Sequence, residues 1–279
     1  MNVSVLILTL NEEVNLPRCL DSLHWCDDIV IFDSYSNDRT VEIAKLRGAR
    51  VLQRRFDNYG TQREAARVGI EYMHSWVLAL DADEIPDEQL ISEIQTIAAM
   101  PTNTVNAYRM RRKDYFMGQW IRHSTLYPSW FIRFYRPESI RYEPRSVHEY
   151  PTVRGEIGEL KGHLEHQSFN KGIGEWLRKH VRYAELEAIE DIRELRSGTI
   201  DWGGLLAYRD PVRNRRTLKS ISYRMPFRPV LRFLYMYIFK LGLLDGAAGF
   251  TYCQLLSIYE YMIVVKMKEL HRKSKGLPI

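Results

Sequence analysis

Cysteine is scarce in this chain of 279 residues: only Cys19, Cys26 and Cys253 are present, and no pair has zinc-finger spacing. Three thiols cannot build a disulfide framework, which argues against a disulfide-stapled secreted protein and for a reducing, intracellular setting. Long apolar runs are missing too. Nowhere do 18 uncharged apolar residues follow one another, so an ordinary membrane-spanning helix is not expected. The opening MNVSVLILTLNEE has no basic region before its short apolar run, which argues against a secretory signal. The chain shows no internal repeat and no low-complexity segment. Excess charge of one sign is also absent over most of the chain. The net charge is +5. The window Arg209–Lys240 holds nine basic residues and one acid, +8, and leaves the remainder at −3. That concentration suits nucleic acid, a phosphorylated substrate or an anionic membrane surface. No RNA-recognition or helix-turn-helix signature accompanies it, so nucleic acid is not expected.

What is present is a globular mixture, 45% apolar and 27% charged, of a size for one large domain or one domain with an appendage. The first hundred residues alternate strand-like and helix-like segments. Strands are expected at Val3–Leu8, Ile29–Phe32, Arg50–Gln53 and Trp76–Leu80. Helices are expected at Asn15–Leu23, Thr40–Arg47, Gly60–His74 and Asp87–Ala99. Strand runs that are apolar throughout, separated by helices, predict an α/β fold with a parallel, doubly wound sheet covered on both faces. Ligands then bind beyond the carboxyl ends of the strands. Past Pro101 come aromatic and basic strands at Val105–Arg112 and Trp130–Tyr135, a glycine-containing stretch at Arg154–Gly162, and a helix from Gly174 to about Arg196.

Three strand ends are polar. The first ends in Thr9-Leu10-Asn11-Glu12, the second in Asp33-Ser34-Tyr35-Ser36-Asn37-Asp38 and the fourth in Asp81-Ala82-Asp83-Glu84. Taken alone, Asp33 and Asp38 suit a turn or helix cap more often than a ligand contact. Asp81 and Asp83, two apart on an extended chain, project to one side. Two close carboxylates are unfavourable without a compensating cation, and a hard divalent ion bridging to phosphate oxygens answers that need. His163 and His166 do not lie in a helical context, so a zinc pair is not expected. His166 could serve a metal or phosphate, or fill a structural place. Aromatic residues between Tyr115 and Tyr135, among them Trp120, Trp130 and Phe131, suit either sugar stacking or core.

These residues also carry a resemblance. VSVLILTLNEE, IVIFDSYSNDRT, GTQREAA and WVLALDADE together resemble family 2 glycosyltransferases of the GT-A fold. FMGQW, YPSWFIRFYR, VHEY and GHLEHQS are similar to motifs of bacterial enzymes building lipopolysaccharide core or exopolysaccharide. The likeness covers about residues 1–185 and loosens beyond. It departs at Asn37, where the family often has Thr, and at Glu64, where Asn is common.

The resemblance implies a nucleotide-sugar donor, commonly a UDP-sugar, and Mn2+ or Mg2+ as cofactor. Thr9, Asn11 and Glu12 match the first nucleotide-binding segment, and Asp33 matches the acid at the base or ribose. Arg63 is a phosphate-side contact or a helix-surface salt bridge. Asp81 would lie near ribose and metal, with Asp83 the principal metal ligand. Asp114, Glu143 and Glu149 are the candidates for the base that activates the acceptor hydroxyl. Glu149 is favoured, with single displacement and inversion. The domains expected are a GT-A domain over 1–200 and a basic, amphipathic, helical, membrane-associated region over 201–279. Its apolar stretches at Pro229–Leu244 and Ala247–Val265 carry charges that suit helices lying in the interfacial plane. The alternative is a helical hairpin packed on the catalytic domain or a contact in a homo-oligomer. The function implied is sugar transfer to a lipid-linked glycan at the cytoplasmic face of the inner membrane, the protein being peripheral. The alternatives are transfer to polyprenyl phosphate and a non-catalytic nucleotide-sugar-binding or scaffold protein.

Overall fold

A computed structural model of the protein describes residues 2–100, 103–143, 151–197, 201–203, 217, 220–221 and 224–279. Four strands, β1 (Val3–Thr9), β2 (Asp28–Asp33), β3 (Arg50–Gln53) and β4 (Trp76–Asp81), pair in parallel in the order β3-β2-β1-β4. Helices α1 (Leu16–Asp21), α2 (Thr40–Leu46) and α3 (Tyr59–Gly69) supply the crossovers. Apolar runs are needed here because both faces are covered. Val3, Val5 and Ile7 enter one core with Leu16, Cys19, Trp76 and Leu78, while Leu6 enters another with Ala66, Ile70, Val77 and Ala79. The two-residue strand period sorts neighbours between the cores. Helix α3 begins where Asn58 accepts from the Thr61 N–H at 2.9 Å, and it ends at Gly69, five residues before the expected His74. Asp87 caps α4 (Glu88–Ala99) by accepting from the Leu90 N–H.

The first four strands are parallel as expected, and past Pro101 the sheet becomes mixed. Strand β8 (Ser129–Tyr135) lies antiparallel beside β4, and β6 (Val105–Phe116) lies antiparallel to β8. Strand β11 (Glu156–His166) runs parallel to β6, and the short β5 (Glu84–Pro86) runs antiparallel to β11 at the edge. No crossover helix separates β6 from β8, and antiparallel pairing needs none. Strand β7 (Gln119–Trp120) adds a short pair to β6, and β9 (Ile140–Tyr142) forms a separate ribbon with β10 (Pro151–Val153). Helix α4 packs on β11 at Gly162, where a Cβ would meet the Leu90 backbone nitrogen at 2.3 Å.

The chain divides into two compact units, one of Met1–Arg122 with Leu126–Ile173 and the other of His123–Thr125 with Gly174–Ile279. The division falls ahead of residue 200 because α5 (Ile173–Ser197) clusters with the C-terminal helices. In the second unit, α6 (Arg228–Leu234) continues through a wider turn at Tyr235–Phe239, and α7 (Gly246–Ser274) follows a short 3-10 turn at Gly242–Asp245. The corner between these helices is tied down by Asp245. Its carboxylate accepts from the backbone N–H groups of His123 and Ser124 at 2.8 and 2.6 Å, and from the Ser124 hydroxyl at 2.8 Å. Arg228, buried, pairs with Asp191 at 3.1 Å and with Glu260, linking α5, α6 and α7. Among the described residues no single helix is long and apolar enough to cross a membrane. Arg228–Phe239 and Gly242–Ser274, bent by 75°, reach that composition only as a pair. Five bases of the basic window (Arg209, Arg213, Arg215, Arg216 and Lys219) lie outside the described residues.

Candidate active site

The parallel register brings the first two polar strand ends together, since Thr9 lies opposite Asp33. The Thr9 hydroxyl donates to Asp33 at 2.9 Å, and both residues are buried. Asp33 also accepts from the backbone N–H and hydroxyl of Ser36 and from the Gln53 amide. Its two oxygens therefore take four donors and fasten the ends of β1, β2 and β3. Asn11 has φ 55°, and its side chain accepts from the Asn37 N–H. Asp38 is the turn and helix-entry residue, accepting from Thr40 and from the Glu13 N–H. Glu12 receives hydrogen bonds from Lys171 and Asn15. Burial pushes its pKa above the usual carboxylate value despite those donors.

At the end of β4 the chemistry is denser. Asp81 has both oxygens engaged, by Arg63 of α3 at 2.7 Å and by Arg133 of β8 at 2.6 Å. Burial opposes its ionisation, but Arg133 and Arg63 outweigh it and hold its pKa well below the usual range. Arg63 is thus a buried partner of Asp81, not a helix-surface residue. Glu84, fully buried, accepts from the Asp81 N–H at 3.0 Å and pairs with Arg133 at 3.2 Å. Asp83 turns away from this pair, and one of its oxygens lies 3.3 Å from His166 Nε2. The Gln167 N–H donates to the Asp83 carbonyl, fixing the approach of the two segments. The other imidazole nitrogen, Nδ1, is 2.6 Å from Asp114, which Arg112 also contacts at 3.1 Å.

This donor set fits a hard cation held by few protein ligands. No group of three or more acidic, histidine or cysteine side chains suited to a metal occurs among the described residues. Mg2+ and similar ions commonly take one or two protein ligands and complete their shell with phosphates and water. Asp83 and His166, facing each other, are the pair able to do this. Asp81, the other expected ligand, is instead bound by its two arginines.

The family model for glycosyl transferase family 2 matches residues 4–155, which include the ends of β1, β2 and β4. The chain belongs to glycosyl transferase family 2. It is a glycosyltransferase, with a mixed α/β domain in which helices flank a central sheet. It is 26% identical over 278 residues to the lipopolysaccharide core biosynthesis glycosyltransferase LpsC of Rhizobium meliloti, covering 96% of this chain and 93% of that one. It is 23% identical to an uncharacterized glycosyltransferase, RP128, of Rickettsia prowazekii, over 99% of this chain and 89% of that one. Among solved structures, S. aureus TarS 1-349 in complex with UDP-GlcNAc is similar at 14% identity and a TM-score of 0.46, over 99% of this chain and 93% of that one.

Of the three candidate bases of this glycosyltransferase, Glu149 lies outside the described residues, as does its neighbour His148. Glu143 is exposed. Asp114 is the one drawn into the cluster. Burial raises its pKa, but His166 and Arg112 overcome this and leave it below the ordinary value. A carboxylate so engaged orients His166 better than it accepts a proton. Glu64, where the family often has Asn, pairs with Arg67 and accepts from the Tyr142 N–H, a structural task. Sequence reading did not anticipate Arg133, Arg112 or Lys171, and it gave Glu84 no role beyond its place in a polar strand end. Buried charge in an otherwise apolar strand, as at Arg133 in SWFIRFY, was the available signal.

Proposed function

We propose that this glycosyltransferase moves a sugar from a UDP-sugar to a hydroxyl of a lipid-linked glycan in lipopolysaccharide core synthesis, by single displacement with inversion. The observation that carries the reading is the cluster at the end of β4, where two arginines pin Asp81 while Asp83 and His166 face each other. It stands at the carboxyl edge of the parallel strands, the side on which such sheets bind ligands. The likeness to LpsC along nearly the whole chain supports the lipopolysaccharide setting. Asp83 and His166 would hold a divalent cation, Mn2+ or Mg2+, which when bound supplies positive charge beside the departing nucleoside diphosphate. Asp114 holds the imidazole with Nε2 toward Asp83. Arg63 and Arg133 keep Asp81 ionised and fixed, so its carboxylate can orient donor groups but adds little free negative charge. Thr9, Asn11, Glu12 and Asp33 shape the nucleotide side. Because Asp114 is engaged by His166 and Arg112, we assign the proton-accepting role to Glu149.

The second unit supports a peripheral place on the cytoplasmic face of the inner membrane. Phe227 and Phe239 are 79% and 76% exposed, and Ile238, Leu241 and Leu244 are exposed nearby. Arg232 and Lys240 lie among them, an arrangement that suits an anionic lipid surface. The test of the donor site is a thermal-shift panel of UDP, GDP, CDP and ADP, each with and without Mn2+. Stabilisation by UDP that deepens with Mn2+, with the Mn2+-dependent part lost in Asp83→Asn, is expected. No shift with any nucleotide in folded protein refutes the reading.

A further inference from the structure

Strand β6 sends alternate side chains to opposite faces of the sheet. Arg112 and Asp114 belong to the carboxylate cluster, whereas Arg111, Lys113 and Tyr115 take the other face. Pairing places Trp130 of β8 opposite Arg111 and Trp120 of β7 opposite Tyr115. Directly opposed residues share a face, so the two tryptophans join the same row. Cations cover the rings along it. The Arg109 and Arg111 guanidinium groups lie 5.0 and 5.5 Å from the Trp130 ring centre. Arg122 lies 5.6 Å from the ring centre of Trp120 and 5.8 Å from that of Tyr127.

The row is only partly neutralised. Glu159 takes Arg109, and Asp87 lies 3.8 Å from Lys113. Among the described residues no carboxylate pairs with Arg111 or Arg122. Two donors, the Trp120 indole N–H and the Arg111 Nε–H, are shut off from water without a hydrogen-bond partner. Such donors cost free energy until an acceptor meets them. Trp130 remains 36% exposed and Arg122 is exposed, while Arg111 and Trp120 are half-buried, so a ligand can enter the row at Trp130 and Arg122. Aromatic faces receive the C–H faces of pyranose rings, and guanidinium groups pair with carboxylate or phosphate.

We propose that this face is a saccharide subsite for an anionic sugar of the acceptor glycan, which stacks on Trp120 and Trp130 and pairs its carboxylate or phosphate with Arg111 and Arg122. It lies across the sheet from the carboxylate cluster, so it holds the acceptor chain and not the reacting hydroxyl. The inference rests on the acceptor being a glycan.

The test follows the indole N–H signals of the 15N-labelled full chain without nucleotide, assigned through Trp120→Phe and Trp130→Phe. Trigalacturonate is the anionic probe and maltotriose the neutral one. The signals of Trp120 and Trp130 are expected to move with trigalacturonate at about tenfold lower concentration than with maltotriose. Arg111→Gln with Arg122→Gln should bring the two probes within about twofold and leave stabilisation by UDP with Mn2+ unchanged. Equal response to both probes overturns the proposal, as does no response to either. Movement with anionic phospholipid vesicles alone also overturns it, and makes the face a lipid contact. UDP stabilisation, read in the same sample, reports on the donor site separately. Its survival beside a silent saccharide titration removes the subsite alone.

Discussion

His166 offers the sharpest test of the cluster, because its charge state is set by groups far away in sequence. Its Nδ1 lies 2.6 Å from Asp114 and its Nε2 lies 3.3 Å from Asp83. Burial lowers the imidazole pKa and Arg112 lowers it further, but Asp83 and Asp114 outweigh both and hold it up at about 9. Against an ordinary value near 6.5, that rise corresponds to about 3 kcal/mol of stability in the metal-free protein. The folded-state pKa is the raised one, so the contribution is complete below about pH 6.5 and is lost as pH climbs through about 9. Imidazole proton shifts of chelator-treated protein, followed from pH 5 to 10 against His166→Gln, give the pKa directly. Unfolding free energies from urea titrations over the same range should fall by about 3 kcal/mol more in the parent than in His166→Gln, most of it between pH 6.5 and 9. Saturating Mg2+ should displace the proton and carry the imidazole to a much lower apparent pKa. A signal titrating near 6.5 without metal, or parallel stability curves for the two proteins, refutes the reasoning.

Asp81→Asn removes the charge between two buried guanidinium groups and is expected to cost about 3 kcal/mol, seen as a lower calorimetric midpoint. Asp83→Asn takes away one of the two carboxylates that raise the His166 pKa, so it should lower the midpoint, through loss of part of the about 3 kcal/mol that this rise contributes, and abolish the Mn2+-dependent part of UDP stabilisation. Gly162→Ala places a methyl 2.3–2.6 Å from backbone and Cβ atoms of Leu90, so α4 must move off β11. A loss of about 3 kcal/mol or more, measured by urea unfolding, is expected. Phe227→Glu with Phe239→Glu should cut co-sedimentation with phosphatidylglycerol vesicles by about tenfold, leaving UDP stabilisation unchanged.

The parallel half of the sheet was legible because β1, β2 and β4 are dominated by apolar residues and their polar ends coincide with their last residues. Thr9 and Asp33 could be paired on paper once β1 and β2 were set side by side. The antiparallel half was not legible, because nothing local says that β8 enters between β4 and β6. That insertion brings Arg133 to Asp81, 52 residues away in the chain. The three-residue β5 is too short to declare itself, yet its pairing with β11 sets Glu84 opposite His166. His163 and His166 show how much the local period decides. Three residues apart on a helix they would share a face, whereas on β11 they part. His166 joins Asp83 and Asp114, while His163 lies on the other face, where its Nε2 is 3.0 Å from the Tyr127 hydroxyl. One strand thus serves both the carboxylate cluster and the aromatic row. A substitution that slipped its register against β6 by one residue would exchange those two chemistries along its length.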